Sequence, residues 1–146
     1  MKKVTHLGDG STAVIYCIIA LMIQKNYSLK IGNLLILSIG ISQFIVHSMK
    51  RFINRERPYI NQELIFFDPK PTCEYSLPSG HTACAITVAL AFSFYFSTIA
   101  FLFWGIGSLV SLSRVILGYH YPTDIIIGAL ISFICHYISL LYLNLI

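Results

Sequence analysis

Long apolar stretches separated by short polar segments dominate this sequence. Three stretches of 19 residues or more contain no Asp, Glu, Lys or Arg: residues 31–49, 82–113 and 125–146. A helix needs about 20 residues to cross about 30 Å of hydrocarbon, so the first and last stretches each predict one membrane span. The middle stretch is too long for one crossing, and we expect two helices joined by a tight turn near Ser97 and Thr98. Residues 11–24 predict a further helix, which is too short to span the membrane unless flanking residues are included.

The number of helices determines which polar segments share a membrane face. With five spans, the segments near residues 50, 80, 114 and 124 lie on one face together with the N-terminus, and the C-terminus lies on the other. Prolines at positions 58, 69 and 71 predict a loop over residues 59–77. The sequence therefore predicts an all-α fold, a polytopic transmembrane bundle of about five helices. Its polar loops lie on one face, and residues 1–146 form a single domain.

Composition agrees with a membrane protein and excludes other classes. Hydrophobic residues make up 56% of the chain and charged residues 11%, against about 25% charged in an average soluble domain. A soluble globular enzyme and a disordered chain are therefore excluded. The net charge of +4 is concentrated in four basic residues within positions 50–57, which indicates an anionic partner at one place and no nucleic acid. The four cysteines show neither a C-x-x-C pair nor the spacing of metal ligands.

Two polar blocks on the shared face precede and follow the predicted loop. In the first, Lys50 and Arg57 are seven positions apart, so a continuing helix would place both on one face, and Pro58 would turn Arg57 inward. A basic membrane flank is the simpler explanation of this block taken alone. In the second, Pro78-Ser79-Gly80-His81 precedes an apolar helix, where Ser79 is a natural N-cap and the free N–H groups could bind an anion. A helix-starting turn is the alternative.

The third block combines Ser113, Arg114, His120 and Asp124. Arg114 interrupts an apolar run, which is costly in lipid unless the guanidinium is paired or faces a cavity. His120 and Asp124 are four positions apart and would meet if the last helix starts here, with Pro122 in its first turn. An Asp that accepts from one ring nitrogen leaves the other nitrogen free to attack or to carry a proton. A capped helix start with an ordinary His–Asp pair is the alternative.

Together the blocks resemble the three motifs of the type 2 phosphatidic acid phosphatase family, membrane lipid phosphatases related to vanadium-dependent haloperoxidases. The family patterns K-x6-R-P, P-S-G-H and S-R-x5-H-x3-D are met without alteration, at positions 50–58, 78–81 and 113–124. Residues 5–10, Thr-His-Leu-Gly-Asp-Gly, also look like the stretch that precedes the second helix in many bacterial members. Those members usually have six spanning helices, so the resemblance implies that the first is absent here.

The resemblance also implies a role for each motif residue. The phosphoryl oxygens would be bound by Lys50, Arg57, Arg114, Ser79 and the backbone N–H of Gly80. His120 would attack phosphorus, Asp124 would orient its ring, and His81 would protonate the leaving oxygen and later activate water. No metal or other cofactor is implied, because cationic side chains neutralise the phosphate in its place.

The implied substrate is a lipid phosphate or diphosphate among the membrane lipids. Undecaprenyl diphosphate is the first candidate, followed by phosphatidylglycerophosphate, phosphatidic acid and a lipid A phosphate. The resemblance implies a multi-pass protein of the cell membrane with an extracytoplasmic site. Lys25 and Lys30 in the short loop on the opposite face agree with this orientation, whereas the basic residues on the face of the site favour the reverse one: Lys2, Lys3, Arg51, Arg55 and Lys70. A homo-oligomer could replace the absent helix. The alternative class is a non-catalytic membrane protein that binds or transports anionic lipids and retains the basic site.

Overall fold

Helices account for nearly all of the structure, a computed structural model that describes residues 1–27, 29–61 and 74–146. The α-helices are α1 (Lys2–Thr5), α2 (Gly10–Tyr27), α3 (Ile31–Ile53), α4 (Pro58–Asn61), α5 (Gly80–Tyr95), α6 (Ala100–Ile116) and α7 (Pro122–Tyr142). Two short 3-10 helices lie at His6–Gly8 and Ser97–Ile99, and the described ranges contain no strand. The predicted all-α fold is confirmed.

The long helices form the predicted membrane bundle. Three stretches are long and apolar enough to cross a membrane: Ile31–Ile60, Ser97–Ile116 and Pro122–Tyr142. Helix α5 is apolar but shorter, with 16 residues. Helix α2 extends the predicted apolar stretch at both ends to reach 18 residues. The predicted turn near Ser97 and Thr98 is confirmed, because the 3-10 helix at that point separates α5 from α6.

Helix α5 lies at the centre of the bundle and packs against α2, α3, α6 and α7. Its buried positions include many small residues, among them Ala83, Cys84, Ala85, Ala89 and Ala91. Small side chains let helix backbones approach closely, and close packing is a main source of helix association in lipid. Helices α5 and α6 approach closely at Gly107 of α6, where a Cβ would lie 3.4 Å from the carbonyl oxygen of Ala85. Helix α5 thus contacts the other four long helices, and its first turn lies at the polar end of the bundle.

The outer surface of the bundle is apolar. Large hydrophobic side chains are exposed on every long helix, among them Val14, Phe44, Phe94, Phe101 and Tyr137. Phe44 and Phe101 are 74% and 70% exposed. A soluble protein rarely exposes a continuous surface of this kind, whereas lipid solvates it. The chain is therefore a polytopic all-α membrane protein.

The two ends of the bundle hold the chain termini as predicted. At one end the N-terminal residues meet the last turns of α6, where Arg114 Nη1 donates to Thr5 Oγ1 over 2.7 Å. At the other end Lys30 Nζ donates to the carbonyl oxygen of Leu143 over 3.0 Å. The N-terminus thus shares an end with the third motif block, and the C-terminus lies at the opposite end.

The predicted loop over residues 59–77 is wrong at its start. Pro58 opens a single helical turn, α4, which ends at Asn61. Proline suits the first position of a helix, because its missing N–H would have no partner there and its φ is already helical. Residues 62–73 lie outside the described part of the chain. Ser76 rejoins the bundle by donating from its backbone N to the carbonyl oxygen of Arg55 over 2.8 Å.

Gly128 of α7 is a position where added volume should disturb the polar end of the bundle. A Cβ there would lie 2.7 Å from the carbonyl oxygen of Ser79, so the backbone of one segment must shift. We predict that Gly128→Ala lowers the free energy of unfolding by about 1–3 kcal/mol, the usual cost of overpacking. Gly105→Ala in α6 is the matched control, because nothing lies within 4 Å of a Cβ at that position. Thermal unfolding in detergent checks this, and equal melting temperatures for the two variants would contradict it.

Candidate active site

A cavity of about 820 Å³ opens at the end of the bundle where the motif blocks meet. Most of the predicted site residues line it: Lys50, Arg57, Gly80, His81, Arg114 and His120. Ser79 and Asp124 are fully buried and lie behind this wall. The fold therefore brings residues from all three motif blocks to one place.

The first motif block reaches the cavity from the last turn of α3 and from the segment that follows it. Helix α3 ends at Ile53, and Asn54 turns the chain with a left-handed backbone at φ 50°, a conformation that Asn tolerates better than most residues. Arg57 is 2% exposed, and its Nη1 donates to the carbonyl oxygen of Tyr119 over 3.0 Å. The helix therefore does not continue to Arg57, in agreement with the effect expected of Pro58 on the residue before it, and the side chains of Lys50 and Arg57 both line the cavity.

The cationic side chains of the motifs form hydrogen bonds with neutral oxygen atoms. Lys50 Nζ donates to the carbonyl oxygen of Tyr75 over 3.1 Å, and Arg114 Nη1 donates to Thr5 Oγ1 over 2.7 Å. The guanidinium carbon of Arg114 also lies 4.6 Å from the ring centroid of Tyr119. A charge buried in a membrane bundle is costly unless such groups replace its water. These bonds hold positive charge at the cavity wall, where it suits an anionic ligand.

The second motif block forms the start of α5. Ser79 caps the helix as predicted, with its Oγ accepting from Thr82 N at 3.4 Å and from Thr82 Oγ1 at 3.0 Å. The hydroxyl thus lies in the cap and outside the cavity wall, so a contact between Ser79 and phosphate stays a prediction. A Cβ at Gly80 would lie 3.5 Å from Gln43 Oε1 and 3.6 Å from Val46 Cγ1, which are ordinary contacts. A need for glycine at this position would therefore come from a ligand held against the backbone.

The third motif block joins α6 to α7 and brings His120 and Asp124 together. Helix α7 begins at Pro122, as predicted, and His120 Nδ1 lies 3.5 Å from Asp124 Oδ2. Both side chains are buried. Asp124 Oδ2 also accepts from Tyr121 N over 2.9 Å, which fixes the carboxylate in the first turn of the helix. This arrangement leaves His120 Nε2 beside Arg57, at 3.4 Å from Nη1.

The surroundings of His120 keep its ring neutral. Burial, assisted by the charges of Arg57 and Arg114, lowers the pKa of His120 from 6.5 to about 3, against the opposing effect of Asp124. A neutral imidazole has a lone pair on one ring nitrogen. His120 is therefore in the protonation state that a nucleophile requires near neutral pH.

Sequence reasoning missed Asp9 as a site residue. Asp9 lines the cavity, its Oδ1 lies 2.5 Å from His81 Nε2, and its Oδ2 lies 2.7 Å from His6 Nδ1. Burial raises the pKa of Asp9, but the interactions with His6 and His81 outweigh it and leave the pKa below its ordinary value. Asp9 is therefore a carboxylate at neutral pH. One signal could have found it, because an acidic residue directly before an apolar helix of a membrane protein requires a partner.

Arg55 is the second residue that sequence reasoning missed. Its Nη1 donates to Thr123 Oγ1 over 2.7 Å and to Asp124 Oδ1 over 2.9 Å. Its guanidinium carbon lies 4.1 Å from the ring centroid of Tyr121. Arg55 thus fixes the carboxylate that faces His120. In the sequence it is one of several neighbouring basic residues, and no spacing distinguishes it from them.

The side chains at the cavity suit an anion better than a metal ion. Within residues 1–27, 29–61 and 74–146, no three His, Cys, Asp or Glu side chains gather closely enough to hold a metal. Lys50, Arg57 and Arg114 instead present positive charge around His81 and His120. The expectation of a reaction without metal or cofactor stays a prediction, for which chelation is the test.

A comparison with known families identifies the family of this chain. The sequence profile of the PAP2 superfamily matches residues 32–145. This chain belongs to the PAP2 superfamily. The matched region contains all three motif blocks, and Asp9 and Thr5 lie before it.

Curated proteins similar to this PAP2 chain are named for different lipids. The undecaprenyl-diphosphatase of Sulfolobus acidocaldarius is 34% identical over 119 residues, which cover 77% of this chain and 55% of that protein. The lipid A 1-phosphatase of Rhizobium johnstonii is 29% identical over 109 residues, which cover 72% of this chain and 45% of that protein. This chain thus spans about half the length of the curated relatives it matches.

Two solved structures share the fold of this PAP2 chain. The transmembrane PAP2-type phosphatidylglycerolphosphate phosphatase of Bacillus subtilis aligns with a TM-score of 0.79 at 24% identity, over 99% of this chain and 75% of that one. LpxE of Aquifex aeolicus aligns with a TM-score of 0.75 at 31% identity, over 95% of this chain and 82% of that one. The arrangement of helices is therefore one already seen in a transmembrane PAP2 protein.

The low pKa of His120 predicts that stability depends on pH. The unfolded ring binds a proton near its ordinary pKa of 6.5 and the folded ring only near 3, so the unfolded state binds more protons between these values. The folded state should therefore lose stability as pH falls through this window, by up to about 1.4 kcal/mol per pH unit for this group. Melting temperatures in detergent check this for the wild type and His120→Asn, whose amide does not titrate. The variant should lose less on acidification, and parallel curves would contradict the prediction.

Proposed function

We propose that this chain is a membrane phosphatase that removes phosphate from a lipid phosphomonoester or diphosphate through a phosphohistidine intermediate. Membership of the PAP2 superfamily supports the proposal, since its relatives include an undecaprenyl-diphosphatase and a lipid A 1-phosphatase. Three properties of the cavity support it further: a cationic wall, a neutral buried histidine and an apolar extension.

The apolar extension of the cavity carries the assignment of a lipid substrate. From the cationic wall the cavity continues between α2 and α3, along Ala13, Val14, Cys17, Ile18, Leu21, Ile39 and Val46. Val14 and Ile18 are 59% and 53% exposed, so this part of the cavity is open toward the surrounding lipid. A lipid phosphate would place its headgroup against the cations and its hydrocarbon chain along the apolar wall. A water-soluble phosphate ester would use only the polar end.

Lys50, Arg57 and Arg114 are proposed to bind the phosphoryl oxygens. Phosphoryl transfer depends chiefly on in-line positioning and on neutralisation of charge in the transition state. Hydrogen bonds hold these three side chains in place, so they need little reorganisation during the reaction. The backbone N–H of Gly80 at the start of α5 adds a helix dipole that favours an anion. Ser79 supports this helix start as its cap.

His120 is proposed as the nucleophile. Its Nε2 forms a bond to phosphorus while the bond from phosphorus to the leaving oxygen breaks, and His81 gives that oxygen a proton. Asp124 stabilises the positive ring that results. In the second half of the reaction His81 takes a proton from water as the water oxygen attacks phosphorus. Phosphate and neutral His120 are the products of that step.

Undecaprenyl diphosphate is the proposed preferred substrate, because the relative named for it is 34% identical to this chain. Lipid A phosphates, phosphatidylglycerophosphate and phosphatidic acid are the competing substrates. The proposed location is the cell membrane, with the cavity on the extracytoplasmic face. Lys25 and Lys30, near the opposite end of the bundle, support this orientation through the preference of basic residues for the cytoplasmic side.

Phosphate release by the purified protein in detergent tests the proposal. The panel contains the four lipids named above and a water-soluble phosphate ester, each with EDTA. We expect release from the lipids that persists in EDTA, because cations of the chain neutralise the phosphate. His120→Ala should lower turnover by at least about 10³-fold, since it removes the nucleophile. Arg51→Ala is the matched control, because it removes an exposed basic side chain on the same face.

Three outcomes would contradict the proposal. Turnover by His120→Ala equal to that of the wild type would exclude the histidine nucleophile. Hydrolysis of the water-soluble ester as fast as the best lipid would exclude the assignment of the apolar wall. Lipid binding without phosphate release, by protein shown to be folded, would favour the non-catalytic lipid-binding alternative.

A further inference from the structure

The N-terminal segment, residues 5–9, is packed against the polar ends of α5 and α6. A Cβ at Gly8 would lie 2.9 Å from the carbonyl oxygen of His81 and 2.9 Å from Val110 Cγ1. Only glycine therefore allows this close approach to the first turn of α5. Thr5, 6% exposed, accepts from Arg114 at one end of the segment. The segment thus contacts a residue of the second motif block and one of the third.

Asp9 ends this segment in a fixed position above His81. Its carbonyl oxygen accepts from Ala13 N over 3.0 Å and from Thr12 Oγ1 over 2.8 Å, which ties it to the first turn of α2. Each oxygen of its carboxylate contacts a different imidazole, Oδ1 at His81 Nε2 and Oδ2 at His6 Nδ1. Both Asp9 and His81 line the cavity. A carboxylate is therefore fixed on one nitrogen of the proposed proton donor.

The charges around His81 explain why a carboxylate is needed there. Burial is the largest effect that disfavours a positive charge on this ring, and Arg114 from α6 and Lys50 from α3, which line the same cavity, add to it. Asp9 from the N-terminal segment is the acidic group that favours the protonated ring. An opposite charge in direct contact increases proton affinity, whereas nearby like charges decrease it. Lys50 and Arg114 suit the phosphate, but without Asp9 they would favour loss of the proton that His81 must give to the leaving group.

We propose that Asp9 is a positioning residue that orients His81 and maintains its capacity to hold the proton given to the leaving oxygen. This inference rests on the proposed function. When the bond from phosphorus to the leaving oxygen breaks, the proton on Nδ1 of His81 moves to that oxygen. The ring becomes neutral and keeps its Nε2–H donated to Asp9. In the second half of the reaction Nδ1 takes a proton from the attacking water, which restores the starting state.

The pH dependence of kcat in Asp9→Asn tests this inference. An amide can still accept from Nε2–H but has no charge, so the substrate-bound His81 should lose its proton at lower pH. We expect the basic limb of the kcat profile to move down by about 1–2 pH units, and kcat at pH 7.5 to fall by about tenfold or more. Glu74→Gln is the matched control, because it removes one exposed acidic charge elsewhere and should leave the profile unchanged.

Asp9→Glu supplies a second test that does not depend on folding of the amide variant. Glutamate keeps the charge but cannot keep the same distance to Nε2, so kcat should fall while the basic limb stays near that of the wild type. A profile for Asp9→Asn that coincides with the wild type, or a kcat for Asp9→Glu equal to the wild type, would overturn the role of Asp9. Either result would leave the phosphatase intact. An inactive wild type would instead contradict the proposed function, so the two failures are distinguishable.

Discussion

The cost of holding charged side chains inside a membrane bundle is the constraint on which the rest of this structure depends. Arg57 and Arg114 are almost fully buried, and each donates to a neutral oxygen, one from Tyr119 and one from Thr5. Such bonds replace water without cancelling the charge of the guanidinium. They require that helix ends and an N-terminal segment converge where the cations lie. The polar end of the bundle is built from these convergent backbone segments.

The same end of the bundle pairs each proposed catalytic histidine with a carboxylate. Asp124, fixed by Arg55 and by the first turn of α7, faces His120, while Asp9 faces His81. The two pairs differ in exposure, since the side chain of His120 is 1% exposed and that of His81 is 28% exposed. A buried neutral ring suits attack on phosphorus, and a more accessible ring suits proton exchange with a leaving group and water. One fold thus supports two histidines in different proposed roles.

The lengths of the apolar stretches predicted the helices well, because a membrane span requires an uninterrupted apolar run. The turn near Ser97 follows from the same length argument. The residue at which α3 ends could not be predicted in this way, because it depends on the left-handed backbone of Asn54. The contacts of Asp9 and Arg55 were also hidden, since each joins segments that are distant in sequence and only tertiary packing brings them together. For Ser79 the predicted helix cap is present, with its hydroxyl accepting from Thr82, and the proposed contact with phosphate stays a prediction.

The central claim is that His120 becomes covalently phosphorylated during turnover. The most direct measurement is rapid alkaline quenching of the wild-type protein during hydrolysis of a radiolabelled lipid phosphate, followed by mapping of the labelled peptide. The account predicts a label on His120 that is stable in alkali and lost in acid, and that disappears when the substrate is exhausted. Steady turnover with no label on His120, or with the label on another residue, would contradict it.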